Sequence, residues 1–236
     1  MAEHQARLCA LALGVPYREG PGHLLRPRLA PPTPEAFREA AGLLAGMPAR
    51  GPRAGLCLQG RQPEKSWHLA NWRLLAEALH SRRGVSFCVT GGPGDGPAAR
   101  ALASMTRAPV ADFTGRTGLG GFRALCRGLD LFLTVDTGAA HLAAEAGTPL
   151  LVVYTASSPA LWAPLGDRIR LLCYNWALLR HGLPLSPPAD SPRWEACGIP
   201  GPEEALAAAE SLLDQGPGPG RGDVRDRGPA PAPQAP

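Results

Sequence analysis

Lysine is almost missing from this chain. Lysine and arginine together number 24 in 236 residues, and Lys65 is the only lysine. Isoleucine is confined to Ile169 and Ile199, and asparagine to Asn71 and Asn175. We read this as a coding bias that places Arg wherever either cation serves. The lysine that is left then marks a position where a planar guanidinium does not replace a compact ammonium. The alternative is that one lysine survived by chance. No dense Lys/Arg cluster exists and the formal net charge is only +4, which argues against a polybasic nucleic-acid binder. No apolar run reaches about 18 residues, so no membrane-spanning helix is expected. The first residues carry Glu3 and no basic segment followed by an apolar one, so a signal peptide is not expected. None of the six cysteines forms a C-x-x-C pair, which disfavours a zinc site. Without an oxidising compartment they read as reduced core thiols. Charged residues are only 19% and hydrophobic ones 44%, so the chain can build a real core.

Glycine and proline are abundant, at 29 and 27 residues. Part of that excess lies in residues 216–236, where 11 of 21 are Gly or Pro. That stretch is too poor in apolar surface to order itself and is expected to be a disordered tail. Upstream the pattern is regular. Residues 6–13 and 34–46 read as helices. From about residue 55, short apolar strands alternate with amphipathic helices. Strands are expected at 55–58, 85–90, 131–135, 149–154 and 169–173. Helices are expected at 71–80, 95–105, 119–127, 137–146 and 203–213. This alternation gives βαβ units, hence an α/β fold: a Rossmann-like parallel sheet with helices on both faces.

Such sheets bind ligands outside the carboxyl ends of their strands. The residues following each expected strand are therefore the candidates. They are Gln59-Gly-Arg-Gln-Pro-Glu-Lys65-Ser-Trp67, then Thr90-Gly-Gly-Pro-Gly-Asp95, then Asp136-Thr-Gly138, then Thr155-Ala-Ser-Ser-Pro159. All are small, polar or glycine-rich, and all lie on one edge. Asp136-Thr137-Gly138 opens a helix. A helix N-terminus offers unpaired N–H groups and roughly half a positive charge, and glycine admits a close approach, so a phosphate suits that position. The plainer alternative is that Asp136 only caps the helix. His141 follows within the next turn and a half. The Gly91-Gly92 loop fits neither the dinucleotide fingerprint nor the Walker loop. No D-x-D pair is present to hold a divalent ion beside a diphosphate. A leaving diphosphate would then be neutralised by Lys65 and helix dipoles in place of a metal.

In this order the motifs resemble glycosyltransferase family 9, the ADP-heptose:lipopolysaccharide heptosyltransferases. The matching pieces are Glu64-Lys-Ser-Trp67 with Trp72 and Leu75, Val89-Thr-Gly-Gly-Pro-Gly-Asp95, and Phe113-Thr-Gly-Arg-Thr117. Val135-Asp-Thr-Gly-Ala-Ala-His-Leu-Ala-Ala144 is the most specific, followed by Gly147-Thr-Pro149 and Trp162-Ala-Pro-Leu-Gly166. These motifs span about residues 55–175, and Cys197 to Glu204 resembles the family's closing segment. The resemblance implies the C-terminal, nucleotide-sugar-binding half of a GT-B glycosyltransferase over residues 51–215. Residues 1–50 would be the end of the acceptor domain and the interdomain connection. It implies inverting transfer from a nucleotide-diphosphate sugar, ADP-linked heptose above all, to a cell-envelope glycan or glycolipid. No cofactor beyond that donor substrate is implied. The family's diphosphate-contacting lysine falls on Lys65. Its nucleotide-contacting positions fall on Asp136, Thr137, Gly138 and His141, and the acidic residue after the Gly-Gly turn most nearly on Asp95. A cytoplasmic position follows, at the inner membrane if at any. An acceptor-domain partner or self-association through the face lacking that domain also follows. Two departures stand out. The family's F/Y-G-x-T loop reads Tyr154-Thr-Ala-Ser157 here, and the acceptor half, which supplies a catalytic aspartate, has almost no counterpart. A binding domain derived from the family but without turnover, and an unrelated Rossmann-like fold, are the alternatives.

Overall fold

The computed structural model describes residues 29–48, 50–173 and 199–216. Six strands form one parallel sheet: β1 Arg53–Cys57, β2 Ser86–Val89, β3 Val110–Asp112, β4 Leu131–Val135, β5 Leu150–Val153 and β6 Ile169–Leu172. Their spatial order is β3-β2-β1-β4-β5-β6. The strand sequence therefore reverses between β1 and β4, and the crevice above that pair is where such sheets take ligands.

The central strands read as unbroken apolar runs because helices cover both faces. Alternate residues feed two separate cores. Ala54, Leu56, Leu131, Leu133, Val135 and Val153 pack beneath helices α2 (Leu69–Arg83), α3 (Gly96–Met105) and α7 (Pro202–Asp214). Cys57, Cys88, Phe132, Leu150 and Val152 face the other side. There they meet α1 (Pro34–Ala45), α4 (Leu119–Arg127) and α5 (Gly138–Glu145). A four-residue helix, α6, spans Pro159–Trp162. Gly55 makes the second core possible. A Cβ there would lie 2.5 Å from Phe132 Cδ2 and 2.7 Å from Leu129 Cδ1. The Phe132 ring occupies that space and meets Phe122 edge-on, with centroids 5.5 Å apart.

Helix ends follow local chemistry. Thr33 caps α1 by accepting the N–H of Ala36, with Pro34 at the first helical position. Gly84, at φ 65°, ends α2 in the left-handed conformation that glycine adopts at low cost. Helix α1 buries Ala36, Phe37, Ala40, Leu43 and Leu44 against the same core as α4 and α5. Arg123 of α4 reinforces this layer. Its guanidinium grips Glu145 of α5 through two bonds of 2.8 and 2.7 Å and donates to the Ala30 carbonyl just upstream of α1.

The expected α/β architecture is the one observed, with shifts at element ends. Helix α2 starts two residues earlier than periodicity indicates and runs to Arg83. The segment expected to begin a helix at Asp95 begins instead with a 3-10 turn, Pro93–Asp95. Strand β3 was not expected. It is a three-residue edge strand, half-buried throughout and ending in Asp112, so no apolar run announces it. The expected helix at 6–13, the tail after residue 216 and Cys197 lie outside the described residues. Cys57, Cys88 and Cys126 are buried free thiols, and Cys173 is half-buried.

Candidate functional site

The loop after β1 is built to hold a lysine still. It closes with the 3-10 turn Pro63–Lys65, whose ends are tied by Lys65 N–H to the Gln62 carbonyl and Ser66 N–H to the Pro63 carbonyl. Trp67 then plunges into the first core and donates its indole N–H to the Pro200 carbonyl. Trp72 meets it edge-on at 4.9 Å and donates to the Leu58 carbonyl. Both tryptophan N–H groups are thus satisfied while their rings anchor the two ends of the loop. From the far side Thr155, after β5, donates its hydroxyl to the Glu64 carbonyl at 2.7 Å. The departure from the family's glycine therefore has a use: Thr155 pins the residue next to Lys65. In the sequence Thr155 shows only as a departure, without that partner.

From this loop the Lys65 ammonium reaches across the switch point. Nζ lies 2.8 Å from Oδ2 of Asp136, at the end of β4. The partners are 71 residues apart in sequence. Asp136 is buried and Lys65 four-fifths buried, at 20% side-chain exposure. An ammonium carries three donors; one is spent on Asp136, and the other two have no hydrogen-bond partner among the described residues. Gly60 lets the strand-following backbone lie against the lysine stem. A Cβ on Gly60 would sit 2.9 Å from Lys65 Cβ. Sequence reasoning missed Gly60, because nothing in its local pattern differs from an ordinary turn glycine.

Asp136 is not the helix cap. Thr137 occupies the N-cap position of α5 in extended conformation, with no side-chain cap bond. Its Oγ1 lies 3.3 Å from Thr134 Oγ1. Gly138 is exposed, and a Cβ built on it meets nothing within 4 Å. The first turn of α5 is therefore open, with the ammonium beside it. His141 is exposed one turn further along. Asp95 lies on the neighbouring loop, after β2. Its Oδ2 accepts the Gly92 N–H at 2.7 Å and closes against Gly91. The buried Cys57 thiol donates to the Gln59 carbonyl at 3.8 Å. Burial pushes it up from its ordinary value, the Thr134 and Thr137 hydroxyls hold it down in part, and the Asp95 charge raises it. Asp95 thus bears on the same strand end as Thr137, although its carboxylate serves its own loop.

Two further aromatic residues lie near the Lys65–Asp136 pair. Burial, and next the charge of Asp136, push the Tyr154 phenol above its ordinary value. It stays protonated and donates to the Trp162 carbonyl at 3.2 Å. The Trp162 ring is 44% exposed, and Lys65 Nζ lies 5.9 Å from its centroid. Both residues belong to motifs quoted above, but sequence position alone does not bring them to the Lys65–Asp136 pair. Among the described residues no group of three or more His, Cys, Asp or Glu side chains could hold a metal ion. No helix of the described residues is long and apolar enough to cross a membrane.

Comparison with known proteins identifies the family and the fold. The family described as glycosyltransferase family 9 (heptosyltransferase) matches residues 1–178. That match starts well before residue 55, where the recognisable motifs begin. Lipopolysaccharide heptosyltransferase 3 of Escherichia coli is 28% identical over 156 residues, covering 65% of this chain and 44% of that protein. Among solved structures, a glycosyl transferase of family 9 from Veillonella parvula superposes with a TM-score of 0.64 at 20% identity. The match covers 78% of this chain and 52% of that one. ADP-heptose LPS heptosyltransferase II of E. coli gives the same TM-score of 0.64 at 20% identity, over 80% of this chain and 54% of that one. These two structures share the fold, and the chain spans about half the length of the relatives it matches. With a family match that covers most of its length, this chain belongs to glycosyltransferase family 9.

Proposed function

We propose that residues 51–215 form the donor-binding half of a heptosyltransferase-type glycosyltransferase, and that the ligand is a nucleotide-diphosphate sugar, ADP-linked heptose in first place. One observation supports this reading above the others. The single lysine stands beside an open helix N-terminus at the topological switch point, with two donors unspent. A diphosphate meets both demands of that place: it is anionic, and it accepts hydrogen bonds from backbone N–H groups.

The chemistry assigns distinct tasks. An acceptor hydroxyl oxygen would bond to the anomeric carbon from the face opposite the diphosphate. The bond from that carbon to the diphosphate oxygen would break, with its electron pair leaving on the nucleoside diphosphate. The hydroxyl proton would pass to a base in the acceptor half, which none of the residues assigned here supplies. Lys65 and the Thr137–Gly138 amides would face the oxygen on which charge develops, and a fixed donor there is worth about 10²–10³ in rate. Asp136 would hold the ammonium in place before the donor arrives, so less ordering is left for the moment of binding. The acceptor is then a cell-envelope glycan or glycolipid, met on the cytoplasmic side of the inner membrane. The missing contacts would come from an acceptor domain.

Calorimetric titration of the full chain tests the reading. ADP-heptose and ADP are expected to bind, and a UDP-sugar to bind far more weakly. Equal binding of all three would leave only an unselective anion site, and binding of none would refute the proposal. A donor-binding domain without turnover shares the same site. Release of ADP from ADP-heptose, dependent on added acceptor, separates the two.

A further inference from the structure

Trp162 is exposed in a way that its surroundings do not require. Its backbone is held firmly. The Trp162 N–H bonds to the Ser158 carbonyl at 3.0 Å, the next N–H, of Ala163, bonds to Pro159 at 2.9 Å, and the Trp162 carbonyl accepts from Tyr154. Pro164, just beyond, is buried. Yet the residue is left 44% exposed, on the ligand edge of the sheet. Hydrophobic burial does not explain a rigidly mounted indole that stays partly wet. A fixed aromatic surface with little entropy left to lose is what a recognition platform needs.

Its position says what it would recognise. Nζ of Lys65 is 5.9 Å from the ring centroid. A phosphate oxygen held by that ammonium sits about 2.8 Å from it. The sugar of a nucleotide-diphosphate donor begins one oxygen beyond the terminal phosphorus. It therefore starts within a few ångströms of the ammonium, the region that the indole borders. A glycosyl ring presents a face of C–H bonds, which packs on an aromatic surface, while its hydroxyls stay free for polar partners. The nucleoside lies at the opposite end of the diphosphate.

We propose that Trp162 is the platform for the transferred sugar, and so a specificity-determining residue for the glycosyl group and not for the nucleotide. This rests on the donor-site reading of Lys65 given above. Thr155 couples the two features, since its hydroxyl pins the lysine loop from the β5-to-α6 connection that leads into the helix carrying the ring.

The test uses the full chain and two probes, ADP and ADP-heptose, each titrated into wild type, Trp162→Ala and Trp162→Phe. Wild type is expected to prefer ADP-heptose. Trp162→Ala is expected to lose about tenfold for ADP-heptose while its ADP affinity stays within twofold, which also shows that the variant is folded. Trp162→Phe is expected to restore most of the preference. Equal loss for both probes would place the ring against the nucleotide and overturn the proposal. So would an unchanged preference in Trp162→Ala, or no preference in wild type. Failure of wild type to bind either probe would instead strike the Lys65 reading, and the proposal would fall with it.

Discussion

Replacing Gly60 by alanine separates the geometry of the lysine from the stability of the fold. The new methyl would lie 2.9 Å from Lys65 Cβ, and ordinary contact begins near 3.4 Å. Lys65 Cβ is fixed by its own backbone and no rotamer change moves it, so the backbone of the Pro63–Lys65 turn must shift by about 0.5 Å, at a cost of about 1–3 kcal/mol. The methyl's other neighbours, the Gln62 and Asp136 carbonyl oxygens at 3.6 and 3.8 Å, are in ordinary contact. Gly60 is not among the left-handed glycines, so alanine adopts its backbone conformation. The substitution then restricts the unfolded chain and returns about 0.4–1 kcal/mol. The clash exceeds that gain by up to about 2.5 kcal/mol, and Tm is expected to fall by no more than about 10 °C. Binding has no such compensation. A shift of about 0.5 Å lengthens the 2.8 Å contact of the lysine with Asp136 to about 3.3 Å, just past the usual range of such a bond. Weakening a charge-assisted bond, worth about 1.5–3 kcal/mol when intact, is expected to lower ADP affinity several-fold. Thermal melts and calorimetric titration on the same preparation read the two quantities. Wild-type ADP affinity in a Gly60→Ala protein that melts normally would refute the claim that the stem's placement matters.

Other perturbations probe neighbouring parts of the molecule. Thr155→Gly restores the family's residue and removes the hydroxyl that holds the Glu64 carbonyl; ADP affinity is expected to drop several-fold, and an unchanged isotherm would deprive Thr155 of its role. Glu145→Ala strands the buried Arg123 guanidinium, whose side chain is 8% exposed. Unfolding in urea is expected to show a loss of about 3 kcal/mol, with a loss under about 1 kcal/mol contradicting the clamp. The buried thiols give a pH signature. Burial raises the Cys88 thiol to about 12, so the folded state keeps its proton while the unfolded thiol ionises near 9. Stability from this group is full below pH 9 and is lost as pH rises from there toward 12, at about 1.4 kcal/mol per pH unit per thiol. Native protein at pH 8 is accordingly expected to leave Cys57, Cys88 and Cys126 unalkylated until denaturant is added, and rapid native labelling of Cys88 would contradict the packing.

The parts of this fold that could be read from sequence are those where burial writes itself into composition. Strands β1, β2, β4 and β5 are buried along almost their whole length, so Gly55 to Leu58, Val85 to Thr90, Leu131 to Val135 and Pro149 to Tyr154 stand out as apolar runs. Strand β3 does not, because an edge strand needs no such run. The start of α2 was displaced because His68 at its N-cap makes no capping bond and carries no capping chemistry. The site was legible at the level of edges: loops after β1 and β4 must share one end of a parallel sheet, and Lys65 does meet Asp136 there. What remained hidden is steric or lies between side chains distant in sequence. Gly60 acts through a missing methyl, Thr155 through a partner 91 residues away, and Trp162 through a ring left bare where most are covered.

The most direct test of the central claim is the affinity of Lys65→Ala for ADP, set against its affinity for adenosine. If the ammonium and the open first turn of α5 hold a diphosphate, ADP binding is expected to weaken about 100-fold, while adenosine binding stays as in wild type. An unaltered ADP isotherm, or an equal loss for adenosine, would contradict it.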